Sequence, residues 1–367
     1  MIKLLSITLL FFFFHSAFAQ VKFIDKNSSH PISAINFFDT NGNLVGISNK
    51  DGFFEPLQNQ KNNLKFPLSV SLQHISYKNK DFIIESLDQK KTIKLLPNEN
   101  RIDEVLVNMP AEKVTILTGY FRSLETFNKK PKQFIDGMIS FYIPSDNKNK
   151  ITFKITENRL FIDTTILQDY KSKMGPFFQI PYVVRLKNNT LSTRIEKLKT
   201  SSAGVNKTLL LKNNKEVGYI TKNGKGNMLF YRDLVLPDSI KKEKIFRLEA
   251  HTFQSVNIEN FNSQNLSSTS PRNLTSVYQN IVASIKRKKE YGHIPYEVLN
   301  EFYVIEKEYI TLEDYKKIQK KLTKNVYLVP SKTSTTSNYW KELEKYNIPQ
   351  VNKNIASRLG AELTQVN

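Results

Sequence analysis

The 367-residue chain contains no cysteine. Disulfides, thiolate zinc sites and thiol nucleophiles are excluded, so its stability must come from buried apolar surface. No long apolar run follows the first residues, and no later stretch reads as a membrane-spanning helix. Acidic residues number 34 against 54 basic ones, which gives a formal net charge of +20. The common signatures of catalysis are also missing. There is no Gly-x-Ser-x-Gly elbow, and Gly224-Lys225-Gly226 lacks the spacing and the hydroxyl residue of a phosphate loop. His30, His74, His251 and His293 lie far apart, and none sits in a His-Glu-x-x-His spacing. His293 and Glu297 are four apart, but Pro295 lies between them and argues for a loop rather than a helical metal pair.

What is present begins with an export signal. Lys3 precedes a nearly continuous apolar stretch from Leu4 to Phe14, and Ala17-Phe18-Ala19 has the small-x-small form of a cleavage site. Residues 1–19 are expected to be removed, leaving Gln20 as the mature amino terminus. No cysteine follows the apolar stretch, so a lipid-modified terminus is not expected. The expected location is the periplasm, or the periphery of the outer membrane. The roughly 348 residues that remain, 40% hydrophobic and 11% aromatic over the whole chain, suffice for two or three packed domains.

Residues 20–108 read as short strands separated by turns. Val21–Asp25 comes first, then a hairpin turning at Asn41-Gly42-Asn43. The run Ser48-Asn49-Lys50-Asp51-Gly52-Phe53-Phe54 follows, in which Asp51 and Gly52 form a structural turn and Gly52 supplies a positive φ. Asp39-Thr40-Asn41-Gly42-Asn43 alternates oxygen side chains. A calcium loop would want its glycine sixth and a glutamate twelfth, where this chain has glycine fourth and Lys50 twelfth. Later strands are expected at Ser69–Ile75, Phe82–Glu85, Thr92–Leu96 and Ile102–Val107. The pairs Ile24-Asp25 and Pro31-Ile32, the Ile75-Ser76-Tyr77 triplet and the closing Asp103-Glu104-Val105-Leu106-Val107 resemble the carboxypeptidase-regulatory-like domain. That resemblance implies a small transthyretin-like antiparallel β-sandwich of the kind common in envelope proteins of gram-negative bacteria. It implies no peptidase activity.

Residues 109–263 read as a second β domain, an antiparallel meander in the form of an open curved sheet or partial barrel. Its strands are expected at Val114–Thr126, Gln133–Ile143, Ile151–Thr156, Tyr182–Lys187, Thr208–Lys212, Val217–Thr221, Met228–Val235 and Lys244–Asn257. Residues 264–273 read as a linker. Residues 274–367 carry helical periodicity: Leu274, Val277, Tyr278, Ile281 and Ile285 share one helix face behind the cap Asn273. Phe302–Ile310 alternates as a strand, and further helices are expected from Thr311, over Tyr339–Tyr346 and over Asn354–Leu363. The fold expected is mainly β with a C-terminal helical part that covers the meander. Tyr120-Phe121-Arg122-Ser123, Asp136-Gly137 and Glu301-Phe302-Tyr303-Val304 resemble the tail of exported proteins carrying the same amino-terminal module, a likeness that brings no activity with it.

These features point to a non-enzymatic binding or scaffold protein of the cell envelope, with no catalytic, cofactor-binding or metal-ligating residue assigned and no cofactor expected. The alternatives are an envelope hydrolase using carboxylates that meet only in space, and a carbohydrate-binding accessory module. A fragment of a TonB-dependent transporter fits poorly with the expected helical end. The aromatics Tyr120, Phe121, Phe141, Tyr142, Phe230 and Tyr231 serve either a core or an apolar cleft. The positive balance suits an envelope protein, an anionic lipid or a glycan as partner, and export leaves nucleic acid out. The densest basic stretch, Lys286-Arg287-Lys288-Lys289, is expected at a helix end and is the candidate contact patch.

Overall fold

The computed structural model describes residues 20–367 apart from 59, 62, 99–101, 105–112, 147–149, 175–178, 224, 225, 238, 246 and 288. The expected signal segment, most of the closing Asp-Glu-Val-x-Val stretch and Lys288 thus lie outside the described residues. The chain divides into two compact units, one formed mainly by residues up to Pro97 and one mainly by Asn98–Asn367.

The first unit holds β1 (Val21–Asp25), β2 (Asn36–Asp39), β3 (Leu44–Ser48), β4 (Phe54–Pro56), β5 (Leu68–His74), β6 (Tyr77–Ile84) and β7 (Lys91–Leu95). Five of them form a sheet in the order β4-β3-β2-β5-β6. β1 and β7 pair separately and in parallel, from Val21↔Lys91 to Asp25↔Leu95, where an all-antiparallel sandwich was expected. The two layers meet through aromatics: Phe23 of β1 stands edge-on to Phe37 of β2 at 5.1 Å and to Phe82 of β6 at 6.0 Å. The turn expected at Asp51-Gly52 is present. Asn49 Oδ1 accepts from the Asp51 and Phe53 amides, both at 3.0 Å, and Gly52 has φ +80°. The Gly52 carbonyl accepts from the Phe23 amide at 2.7 Å. A Cβ at Gly52 would lie 2.4 Å from the Phe23 carbonyl oxygen, so the turn tolerates no side chain.

The second unit is one open, antiparallel sheet. Its strands are β8 (Asp103–Glu104), β9 (Lys113–Phe127), β10 (Lys130–Pro144), β11 (Thr152–Ile162), β12 (Lys199–Ser202), β13 (Lys207–Lys212), β14 (Lys215–Lys222), β15 (Asn227–Asp233), β16 (Lys241–Ile245), β17 (Leu248–Asn262), β18 (Leu274–Arg287), β19 (Ile294–Thr311) and β20 (Thr364–Gln365). The order is β12-β13-β14-β15-β17-β18-β19-β9-β10-β11-β20, with β16 on β17 and the short β8 parallel to β19. Asp103 and Glu104 of the family-like closing motif are therefore paired in the large sheet, opposite Glu306 and Lys307.

Helices are few and short: α1 (Thr164–Met174), α2 (Leu191–Ile195), α3 (Leu312–Ile318) and α4 (Lys353–Ala356). The start expected at Thr311 is observed, with Thr311 Oγ1 accepting from the Asp314 amide at 3.0 Å. Tyr339–Tyr346 forms two single 3-10 turns instead of a helix. Residues 274–287 are a strand, which corrects the helical expectation. β18 is buried on both faces along most of its length, so apolar residues occupy both phases and imitate a helical spacing. Its β-branched Thr275, Val277, Ile281, Val282 and Ile285 favour the extended chain. Tyr182–Lys187, expected as a strand, joins no sheet: it begins with a bend, and its Tyr182 amide donates to the Val326 carbonyl at 3.0 Å.

That segment explains where the core sits. Tyr182, Val183 and Val184, with Leu191 and Ile195 of α2, lie over one sheet face against Phe121, Ile139, Phe141, Phe230 and Phe302. α1 covers the same face farther along, packing Ile166, Tyr170 and Met174 on Phe127, Ile285 and Val298. The tail beyond α3 covers the opposite face, with Tyr339 against Tyr120, and guards the edge strand. Phe153 bonds to Thr323, Asn158 to Ser334, and the Val366 amide to the Leu160 carbonyl at 2.8 Å.

Two outcomes test this architecture. Gly52→Val should destabilise the first unit by about 1–3 kcal/mol through backbone strain, read as faster hydrogen exchange in β2, β3 and β5; unchanged exchange would refute the turn. In the same unit burial pushes the His74 imidazole down to about 3. The unfolded chain then binds a proton that the fold does not, so stability is full above pH 6.5. It should fall by about 1.4 kcal/mol per unit as the pH drops from there toward 3. Exchange in β5 should show that slope, and His74→Gln should flatten it; a slope unaltered in the variant would refute the assignment.

Candidate functional site

Two sets of ionisable side chains stand out, one buried and one exposed. The buried set is a row across four strands. Glu301 on β19 lies opposite Arg122 on β9, Arg122 opposite Asp136 on β10, and Asp136 opposite Arg159 on β11. The charges alternate along the row. Residues directly opposite in adjacent strands point to the same face, so the four form a line perpendicular to the strands. Arg122 Nε donates to Glu301, and Arg159 Nε donates to Asp136 Oδ1 at 2.9 Å. Tyr120 donates to Asp136 Oδ2 at 3.0 Å, and Tyr339 donates to the Asp136 carbonyl at 3.1 Å. Arg122 Nη1 donates to the Pro349 carbonyl at 2.9 Å. The indole of Trp340 stacks on the Arg159 guanidinium at 4.1 Å.

Burial first, then the Asp136 charge, raises the Tyr120 phenol above its ordinary range; burial and Glu301 do the same for Tyr303. Both remain protonated donors. The three short motifs around Arg122, Asp136 and Glu301 thus meet in one constellation, and each carboxylate in it is held by a guanidinium. Two carboxylates and two guanidiniums balance in charge, and all four side chains are buried or nearly so.

Two further buried pairs follow the same pattern. Lys132 donates to Glu125 beneath Tyr170 of α1, and Arg194 of α2 grips Glu259 through two bonds of 2.7 and 2.5 Å. The six aromatics that sequence assigned to a core or a cleft are buried, apart from the half-buried Tyr142.

The exposed set lies where β16, β17 and β18 run together. Lys242 stands opposite His251, Lys244 opposite Glu249, and Glu249 opposite Lys286. Lys241, Lys242, Lys244 and Arg247 are exposed, as is Lys289. Pairing therefore joins the predicted basic stretch to a second one that the linear sequence keeps about forty residues away. The stretch sits at a strand end and not at the end of its own helix. Arg287 is already engaged: its Nη1 donates to the Lys173 carbonyl at 3.0 Å, at the negative end of the α1 dipole.

Within this corner three possible metal ligands converge, the one such group among the described residues. Glu249 and His251 are two apart on β17 and share a face. His293, from the β18–β19 connection, stacks on His251 with ring centroids 4.1 Å apart and planes at 26°. His251 Nε2 lies 2.6 Å and His293 Nε2 3.9 Å from Glu249 Oε1. The hydrogen bond from His251 holds the Glu249 carboxyl below its ordinary range, and burial followed by His251 lowers His293. Sequence reasoning weighed His293 with Glu297; the structure places Glu297 in the buried sheet instead and gives His293 a partner 42 positions away in the chain. The alternation Glu249-Ala250-His251 is the single local hint of the cluster.

No family model matches the chain, and no curated protein matches it. Among solved structures it is similar to a lipovitellin chain described for its lipid–protein interactions, at 9% identity and a TM-score of 0.22. The match covers 64% of this chain and 30% of that one, so this protein spans less than a third of that chain's length. A likeness of that degree carries no argument about fold or function.

The buried row generates a test. Arg122→Ala, which strands a buried Glu301, should destabilise the large sheet by about 3–5 kcal/mol. Replacing both Arg122 and Glu301 by leucine should cost less than the single change, because no charge is left alone. Urea unfolding followed through Trp340 measures both; a double variant destabilised as much as Arg122→Ala, or more, would overturn the pairing.

Proposed function

We propose that this protein is a non-enzymatic binding protein of the bacterial cell envelope, and that it docks on an anionic phospholipid surface through the basic corner of β16, β17 and β18. The observation that carries the reading is strand pairing that sets Lys242 and Lys244 of β16 on the same sheet face as Lys286 of β18, with the exposed Lys241, Arg247 and Lys289 near them in the chain. The nearby carboxylates Glu243, Glu249 and Glu290 leave that corner positive. Cations so grouped act together within one Debye length, about 8 Å at physiological salt, and each contributes about 1 kcal/mol near an anionic bilayer. The envelope setting is supported by the export-type sequence of residues 1–19. The engagement of the buried carboxylates by arginine and lysine favours binding over hydrolysis.

Lysines on the free side of β16 also keep that edge from pairing with another chain, and the experiment separates the two roles. Full-length mature protein should co-sediment with vesicles of phosphatidylcholine and phosphatidylglycerol, and not with phosphatidylcholine alone. Retention should fall as salt rises. Changing Lys241, Lys242, Lys244 and Lys286 to glutamine should weaken it at least about tenfold. Retention that ignores both salt and these substitutions would overturn the proposal, as would turnover of a glycan or ester abolished by changing one carboxylate.

A further inference from the structure

We propose that Glu249, His251 and His293 form a binding site for one divalent transition-metal ion of the zinc class. The three ligand atoms lie within 4.8 Å of one another. Zinc bonded tetrahedrally at 2.0–2.1 Å sets its ligand atoms about 3.3 Å apart. His251 and Glu249, now 2.6 Å apart, would have to open, and His293, now 3.9 Å from Glu249, would have to close. Each adjustment is under an ångström and lies within the reach of side-chain rotation. β17 supplies two ligands from a rigid element, and the His293 connection supplies the third.

The donor set decides the class of metal. Two imidazoles and one carboxylate suit zinc, copper or nickel, whereas calcium and magnesium require a shell of oxygens. Three protein ligands also leave a fourth position open, and the exposed His293 places the group at the surface, within reach of water. The stacked rings turn both Nε2 atoms toward one carboxylate oxygen, Glu249 Oε1, at 2.6 and 3.9 Å, so the three ligand atoms converge on one point. Lys242 and Lys244 on β16 and Lys286 on β18 flank the three groups and oppose a cation. The expected affinity is therefore micromolar in order rather than that of a structural zinc site. This site does not depend on the membrane reading: the lysine substitutions of that test leave all three ligands in place.

Full-length mature protein, free of any histidine tag, should bind one zinc per chain in calorimetric titration with zinc chloride. Calcium and magnesium chloride should give no comparable heat. His251→Ala and His293→Ala should each weaken zinc binding at least about tenfold, since loss of even an outer partner of a ligand commonly costs that much. Glu249→Gln should weaken it less. X-ray absorption at the zinc edge of the wild-type complex should show scattering from two imidazoles, a measurement that does not depend on any variant folding. No zinc binding, binding unchanged in the doubly substituted His251→Ala, His293→Ala chain, an all-oxygen shell, or equal binding of calcium would each overturn the site.

Discussion

Glu301, Arg122, Asp136 and Arg159 stand opposite one another on four adjacent strands, and the order of the sheet's middle depends on that alignment. A strand displaced by one residue sends every side chain to the other face. Displacement by two would set Arg122 against Tyr303 or Leu299 instead of Glu301. Any such slip strands a buried charge, where the penalty is several kcal/mol. Apolar contacts along β9, β10 and β19 supply cohesion but are tolerant of register, because both faces carry large hydrophobics. The alternating charges supply what those contacts lack, a unique pairing.

The double-sided burial of these strands also determines what the amino-acid sequence reveals. β11 begins with a clean alternation and is legible from its first residues. β9 and β10 are legible through their length and the short turn between them. β18 is not legible: covered on both faces, it loses its two-residue period, and Leu274, Val277, Tyr278, Ile281 and Ile285 fall by chance on a helical spacing. The predominantly β, antiparallel character was readable from the chain, as were the Gly52 turn and the Thr311 cap, because each rests on local chemistry. The parallel pairing of β1 with β7 rests on contacts some seventy residues apart and leaves no local trace.

The same division applies to the sites. The motifs around Arg122, Asp136 and Glu301 are visible as short strings, yet nothing in them says that they face one another. Lys286 to Lys289 is conspicuous as a run, although Arg287 proves to be a structural residue closing the end of α1. The second set of lysines, on β16, reads as ordinary solvated residues until the hairpin with β17 sets them beside the first. His251 and His293 are typical of pairs that chain spacing conceals, since a ring-to-ring contact across 42 positions needs the whole of β18 to be in place.

The distance along the chain between Arg122 and Glu301 has a consequence for how the protein is made. The two lie 179 residues apart, and β9, the first long strand of its sheet, takes β19, the last, as a direct neighbour. A ribosome or translocon delivers the chain from the amino end, so β9 and β10 emerge as a hairpin with one open edge well before their partner exists. At about 5–20 residues per second of synthesis, that edge stays uncovered for many seconds. The first unit, whose strands β1–β7 pair only with one another among the described residues, can fold in that interval. The second unit must wait for its far end, and whatever factor attends this chain during its birth meets it as a half-built sheet.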